Sequence, residues 1–352
     1  MRTPIIPHSL KNAKWIAAAS LLAVVAFFGL RAVWFAPEKN VSLFRYLSEH
    51  SIESVTLELD MGAVFEKDSS DLPAVLKWRD ENGETVSLPL EISVRGNDRR
   101  EVCSFPPLKL EPIASKELGI TGKDIKLVSH CVEGTGEMLL LREYLAYQLY
   151  AALTEASFKT HLVRITYADS REEAGIEEAW AFLLEPKDDL QDRLDADDWK
   201  EGEPLKTISA YDYNRFAVFQ FMIGNTDWNL EKEHNLKMMV SKKEGLPFPV
   251  PYDFDRSGLV NAPYAIPHSM LPINTVQDRY FQWRGKDRSQ LTPILDEFRA
   301  KHDELIGLCR DLDILPDMER QSVVEYLEEF FQNIDILLGD GRQIAHTTLQ
   351  KS

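Results

Sequence analysis

Residues 223–237, IGNTDWNLEKEHNLK, and residues 250–255, VPYDFD, which come after a short strand and a turn, decide how this chain is read. They lie beyond a long apolar helical run, SAYDYNRFAVFQFMIG at 209–224, and hold Asp227, Asn229, His234, Asn235, Asp253 and Asp255 within thirty residues. Carboxylates joined by carboxamides are hard oxygen donors, suited to Mg2+ or Mn2+ shared with substrate phosphates rather than to zinc. Phosphoryl transfer needs one Asp to orient or deprotonate the nucleophile, and an Asn and a second Asp to hold the metal; this spacing supplies all three. An Asp-rich loop on its own reads as caps and turns. VPYDFD adds two acids among aromatics, where an unpaired buried carboxylate is costly and a bound cation is a natural compensation.

Upstream of these loops, residues 53–130 alternate in the manner of strands: SVTLELD, AVLKWRD, TVSLPLEISVRG, PPLKLEPI and DIKLVSH. Turn signals ENGE and RGND separate several of them and predict an antiparallel sheet rather than βαβ units. A helix with a broad apolar face, GEMLLLREYLAYQLYAALTEA, comes next, then two strands, THLVRITYAD and AWAFLLE. Residues 187–203 carry eight acids against three bases and read as a solvated linker. Beyond 209 the pattern is mainly helical, with amphipathic helices expected over 287–308 and 315–339.

The 352 residues hold 57 acidic and 40 basic side chains, a formal charge of −17, so nucleic acid is not an expected partner: phosphate contacts need a basic face. The chain contains no HExxH, GxSxG or GxxxxGK[ST] motif, and its three cysteines show no CxxC spacing. From Trp15 to Trp34 runs WIAAASLLAVVAFFGLRAVW, whose one charge, Arg31, lies near the far end. Arg2, Lys11 and Lys14 precede it and no acid appears before Glu38, so the reading is a single-pass anchor with its N-terminus in the cytoplasm of a bacterium and the main domain in the periplasm or extracellular space. A cleaved signal peptide is the rival, against which stand the bulky Trp34 and Phe35 at the exit. Outside the cytoplasm Cys103 and Cys131, each at a strand edge, either pair or stay as two buried thiols, while Cys309 reads as core.

Asn225-x-Asp227, then His234-Asn235 on a short strand, then Pro251-Tyr252-Asp253-Phe254-Asp255, resembles the catalytic and metal loops of the spore-coat CotH kinase-like family, and is similar to those of HipA-type kinases. The resemblance implies Asp227 as catalytic Asp, Asn235 and Asp253 as metal ligands, and ATP with Mg2+ or Mn2+ as cofactors. It extends upstream to Arg95-Gly96-Asn97, to Lys109 on PPLKLE as the phosphate-reaching lysine, to Glu143 as that lysine's helix partner, and to a hinge near Glu185. No GxGxxG loop precedes Lys109, so Arg95 to Arg100 would have to cover the phosphates. The stretch from Asp227 to Asn235 is longer than in HipA-type proteins, which leaves Asn229, and beyond it Asp255, as alternative metal ligands.

The expected architecture is therefore α+β: a two-lobed protein-kinase-like fold, with an antiparallel N-lobe sheet and a helical C-lobe, behind one N-terminal transmembrane helix. Its divisions are a cytoplasmic segment 1–14, the anchor 15–36, a juxtamembrane stretch 37–52, a β-rich lobe 53–186, an acidic linker 187–208 and a helical lobe 209–345. The expected activity is transfer of phosphate from ATP to a Ser or Thr hydroxyl of a protein, with the cell envelope as one source of acceptors. Two alternatives stand beside it: an inactive pseudokinase-like envelope scaffold, and a nucleotide-dependent transferase acting on a small molecule or cell-surface polymer.

Overall fold

The computed structural model describes residues 40–66, 71–96, 103–171, 176–200, 208–339 and 341–346. A short helix α1 (Leu43–Glu49), capped by the Ser42 side chain, leads into β1 (Ser54–Leu59), followed by the one-turn α2 (Met61–Phe65). The strands β2 (Leu72–Arg79), β3 (Thr85–Val94), β4 (Leu108–Pro112) and β5 (Ile125–Val128) come next. After α3 (Gly136–Leu153) the chain returns as β6 (Thr160–Asp169) and β7 (Glu177–Leu184).

These seven strands close on themselves in the order β1-β2-β3-β4-β5-β7-β6. All neighbours are antiparallel except the closing pair, where β1 lies parallel to β6 with Ser54 opposite Arg164 and Leu59 opposite Asp169. Every second side chain points inward, so Leu57, Leu76, Leu90, Leu110, Leu127, Ile165 and Leu183 pack into one buried cluster. The outward face of β5 and β7 is different from an ordinary barrel exterior, because Val128, Phe182 and Leu184 are buried against the helical half of the molecule.

This closed barrel overturns the expected two-lobed kinase-like fold built on an antiparallel sheet. β1 alternates apolar and polar along its whole length, and the parallel partner on its second side removes the open edge that a simple antiparallel sheet would leave. Among the described residues, moreover, no helix is long and apolar enough to cross a membrane. The anchor expected at 15–36 lies outside the described residues.

The segment 187–200 is more ordered than a linker. It forms α4 (Lys187–Leu194), anchored by the fully buried Leu190, and β8 (Ala196–Asp198), which pairs with β9 (Leu236–Ser241). Between them in sequence runs α5 (Ala210–Met222), and β9 continues through a turn to its antiparallel partner β10 (Pro247–Pro251). Farther on come β11 (Arg279–Tyr280), α6 (Thr292–Ala300), α7 (His302–Arg310), α8 (Asp317–Asn333) and β12 (Gln343–Ile344), which pairs with β11. The single amphipathic helix expected over 287–308 is thus two helices separated at Lys301. Phe216, Phe219, Phe254, Phe298 and Phe330 form the centre of this half, all fully buried.

Candidate functional site

Helix α5 ends at Met222, with Ile223 as its C-cap, and Gly224 turns the chain with a φ of +64°. A Cβ on Gly224 would collide with the Tyr326 hydroxyl, and the Gly224 carbonyl accepts a hydrogen bond from Gly258 N (3.1 Å). The start of the 223–237 loop is thereby tied to the segment just beyond VPYDFD. Asn225 Oδ1 then accepts from Asp227 N (3.0 Å), an Asx turn that sets the backbone of Asp227. Two backbone hydrogen bonds join Asn229 and His234 (3.1 and 2.9 Å) into a small hairpin, which returns the chain to its starting point.

That return places three functional groups together. His234 Nε2 donates to Asp227 Oδ1 (3.0 Å), and Asn235 Nδ2 donates both to the Asp227 carbonyl (2.9 Å) and to its Oδ2 (3.1 Å). Arg256 Nε stands 3.9 Å from the same Oδ2. With its amide hydrogens committed to Asp227, Asn235 is left with Oδ1 turned to the other side. Asn229 Oδ1 accepts from Lys232 N (3.0 Å), so this carboxamide caps the hairpin.

The second loop runs alongside. Tyr252 N donates to the Asn235 carbonyl (3.0 Å), extending the β9·β10 ladder by one step to the residues that flank it. Asn235 and Asp253 both adopt the left-handed backbone region, with φ of 54° and 62°. That conformation costs a non-glycine residue about 1–2 kcal/mol, somewhat less for Asn and Asp, and such strain collects at functional positions. Asp253 N donates to the Tyr147 hydroxyl (2.8 Å) from α3, and Phe254 packs on the rings of Tyr147 (4.7 Å) and Phe219 (5.7 Å). On the same helix the buried Arg142 donates to the Leu259 carbonyl (3.3 Å) and pairs with Glu319, so α3 grips this loop twice.

A cleft of about 280 Å³ opens between the barrel and these loops, lined by Lys126, Leu184, Glu185, Lys237 and Tyr252 among others. Lys126 reaches it because it alternates with Ile125 and Leu127, which fill the barrel, and faces outward beside Leu184 of β7. Its ammonium lies 4.5 Å from the centre of the Tyr252 ring. Burial pushes the Lys126 pKa down from 10.5 to about 8; Arg95 and Lys237 push the same way, while the Asp253 carboxylate opposes them.

No protein-family model and no curated protein matches the chain. Among solved structures, the crystal structure of a proinflammatory kinase, CtkA, from Helicobacter pylori is similar at 9% identity and a TM-score of 0.38, covering 65% of this chain and 89% of that one. A likeness of that size is too slight to assign a function, and the geometry of the site bears that weight alone.

Hydrogen bonds gather Asp227, His234 and Asn235, and the Asp253 carboxylate on the adjoining loop lies near enough to Lys126 to oppose the fall in its pKa. Asp255 is buried next to Phe254. Lys109 is directly opposite Lys126 in the β4·β5 ladder but one strand farther from the helical half, and its ammonium is held by Glu111, the main cause of its raised pKa. Glu143 is buried on α3. Glu185 lines the cleft, yet its carboxylate is taken by Lys159 N (3.0 Å) and by Arg193 (2.8 and 3.0 Å). Arg95 ends the β3 hairpin arm, with its N donating to the Pro107 carbonyl (3.0 Å), and Asn97 lies outside the described residues. Cys103 and Cys131 form a disulfide that joins the segment beyond Arg95 to the segment beyond Lys126. Among the described residues no group of three or more His, Cys, Asp or Glu side chains is gathered for a metal ion. Four residues escaped the sequence reading: Lys126, Tyr147, Lys237 and Arg256. For Lys126 a signal existed, since DIKLV alternates as PPLKL does, but only strand order tells which lysine faces the cleft.

Proposed function

We propose that this protein is a phosphotransferase, which binds ATP in the cleft lined by Lys126 and passes its γ-phosphoryl group to a hydroxyl oriented by Asp227. The observation that carries the reading is the pair of left-handed residues, Asn235 and Asp253, fixed side by side by the Asn235–Tyr252 hydrogen bond next to Asp227 and Lys126. Strained polar residues held in register by a ladder are what a site demanding fixed oxygen positions requires.

The donor set fits a divalent metal of the Mg2+ type. Asn235 Oδ1 and the Asp253 carboxylate are hard oxygens, and Mg2+ is commonly held by one or two protein oxygens, with substrate phosphates and water completing the shell. When bound, such an ion neutralises phosphate charge. The chain's own residues do the positioning. Lys126 and Lys237 give the polyphosphate a cationic wall, and Tyr252 supplies an aromatic surface beneath Lys126. Asp227, braced by His234 and Asn235, takes the hydrogen bond of the acceptor hydroxyl and its proton as the bond to phosphorus forms, while ADP leaves. The resemblance of Asn225-x-Asp227, His234-Asn235 and Pro251 to Asp255 to CotH-type loops supports this reading, with a protein Ser or Thr as acceptor. The Cys103–Cys131 bond supports an oxidising compartment outside the cytoplasm as the place of work.

The test is incubation of the full chain with γ-labelled ATP and Mg2+ or Mn2+, alongside Asp227→Asn and Asp253→Asn. Metal-dependent label on protein is expected, reduced about 100-fold or more in each variant. Unlabelled protein, with nucleotide binding indifferent to Asp253→Asn, rejects the site.

A further inference from the structure

Asp227 borders a hollow of about 530 Å³, which shares no lining residue with the Lys126 cleft. One wall is the 226–234 hairpin, the other the segment 268–282, and the two are tied by Gln282 Nε2 donating to the Thr226 carbonyl (2.8 Å). In a chain of charge −17, Asp227 is the one acidic residue among those that line this hollow. Asp227 is bonded to His234 and Asn235; of the hairpin's other acids, Glu231 pairs with Arg284 and Glu233 accepts from Met238 N (3.2 Å). Lys232 stands exposed between them and has no carboxylate partner among the described residues. Across the hollow, His268 is exposed and uses Nδ1 to accept from Met270 N (3.3 Å), which leaves Nε2 as the ring's donor. Met270 forms an apolar lip, 83% exposed.

We propose that this hollow receives the acceptor as an extended protein segment whose Ser or Thr hydroxyl is flanked within a few residues by Asp or Glu. The flanking carboxylate meets Lys232 and the imidazole of His268, and an apolar side chain of the segment rests on Met270. A segment with Lys or Arg in the same places meets the Lys232 ammonium and the His268 N–H, while the one carboxylate of the lining, Asp227, is engaged by His234 and Asn235, so the hollow selects by repulsion as well as attraction. This inference rests on the phosphotransferase reading for the identity of the reacting hydroxyl, but not for the binding preference.

The experiment therefore measures binding to the full chain without nucleotide. Fluorescence anisotropy is recorded with three Ser peptides of equal length, flanked by Glu, by Ala and by Lys, and with a soluble polyuronate as competitor. The Glu-flanked peptide is expected to bind about fivefold or more tighter than the Lys-flanked one, with the ratio lost or inverted in Lys232→Glu. Equal or reversed affinities, an unchanged ratio in Lys232→Glu, or a polyuronate that binds as well as the acidic peptide would overturn the assignment. Label transfer from ATP is followed separately. Preference without transfer defeats the cleft reading alone, whereas transfer without preference defeats this one alone.

Discussion

A lysine that is mostly buried, beside another lysine and an arginine, is a poor choice for stability, and Lys126 is such a residue. Its ordinary pKa of 10.5 falls to about 8 in the folded chain, so between those values the unfolded chain holds more protons than the folded one. Stability due to this group consequently rises with pH from about 8 to 10.5, and below about 8 the folded state carries the whole cost of the buried charge. Lys126→Met is expected to raise the stability at pH 7 by an amount on the order of 2 kcal/mol, read as a higher midpoint in urea, while removing nucleotide binding. In the wild type, nucleotide affinity is expected to fall as pH passes upward through about 8, and calorimetry in buffers of different ionisation enthalpy should register proton uptake on binding near that pH. A more stable variant that still binds ATP with full affinity would contradict the role given to Lys126.

Among the elements, the two loops of the site are governed by what lies behind them. Gly224 and Gly258 pack against each other and against the Tyr326 hydroxyl of α8, which in turn donates to the Gln277 carbonyl (3.0 Å). Gly224→Ala drives a methyl into that hydroxyl from a left-handed backbone, and a loss of about 2–4 kcal/mol in chemical denaturation is expected. Gly83, with a similar φ of +79° but open space around it, should lose less on the same change, about 1 kcal/mol. Much of this local machinery was legible in the sequence. The residue types and spacing of 223–237 and 250–255 placed Asp227, Asn235 and Asp253 on adjoining loops, because short-range turns such as the Asn225 Asx turn are encoded by neighbours. The cleft lysine was not legible, since Lys109 and Lys126 differ only in which strand stands next to β7. Nor was the structure of 187–198: its acids, apart from Asp189, which bonds to Ser42 and Lys123, lie on exposed positions, and a single buried leucine, Leu190, marks the side that packs.

At the scale of the whole molecule, the barrel and the helical half have separate buried clusters, and they meet along β5, β7 and α3. The Cys103–Cys131 disulfide lies at that boundary, closing a separation of 28 residues around β4 and β5. Replacing both cysteines by serine is expected to lower unfolding stability by about 2–4 kcal/mol in denaturant titrations, and adding reductant to the wild type is expected to move its transition to the same point. No difference between reduced and oxidised protein would remove the support that this bond lends to an oxidising compartment. Barrel closure escaped the sequence for a related reason: turn residues announce hairpins, but a parallel pair between residues more than a hundred positions apart leaves no local mark.

That same closing pair sets a timetable for the growing chain. β1 leaves the ribosome before its second neighbour, β6, which emerges only after 110 further residues, counting from Ser54 to its partner Arg164. At ordinary rates of synthesis the wait is about 5–20 s. Throughout that interval the nascent barrel shows an unmet edge, so β1, whose Ser54 and Glu53 are exposed polar residues at its entrance, is the strand on which a chaperone or a second nascent copy would first be found.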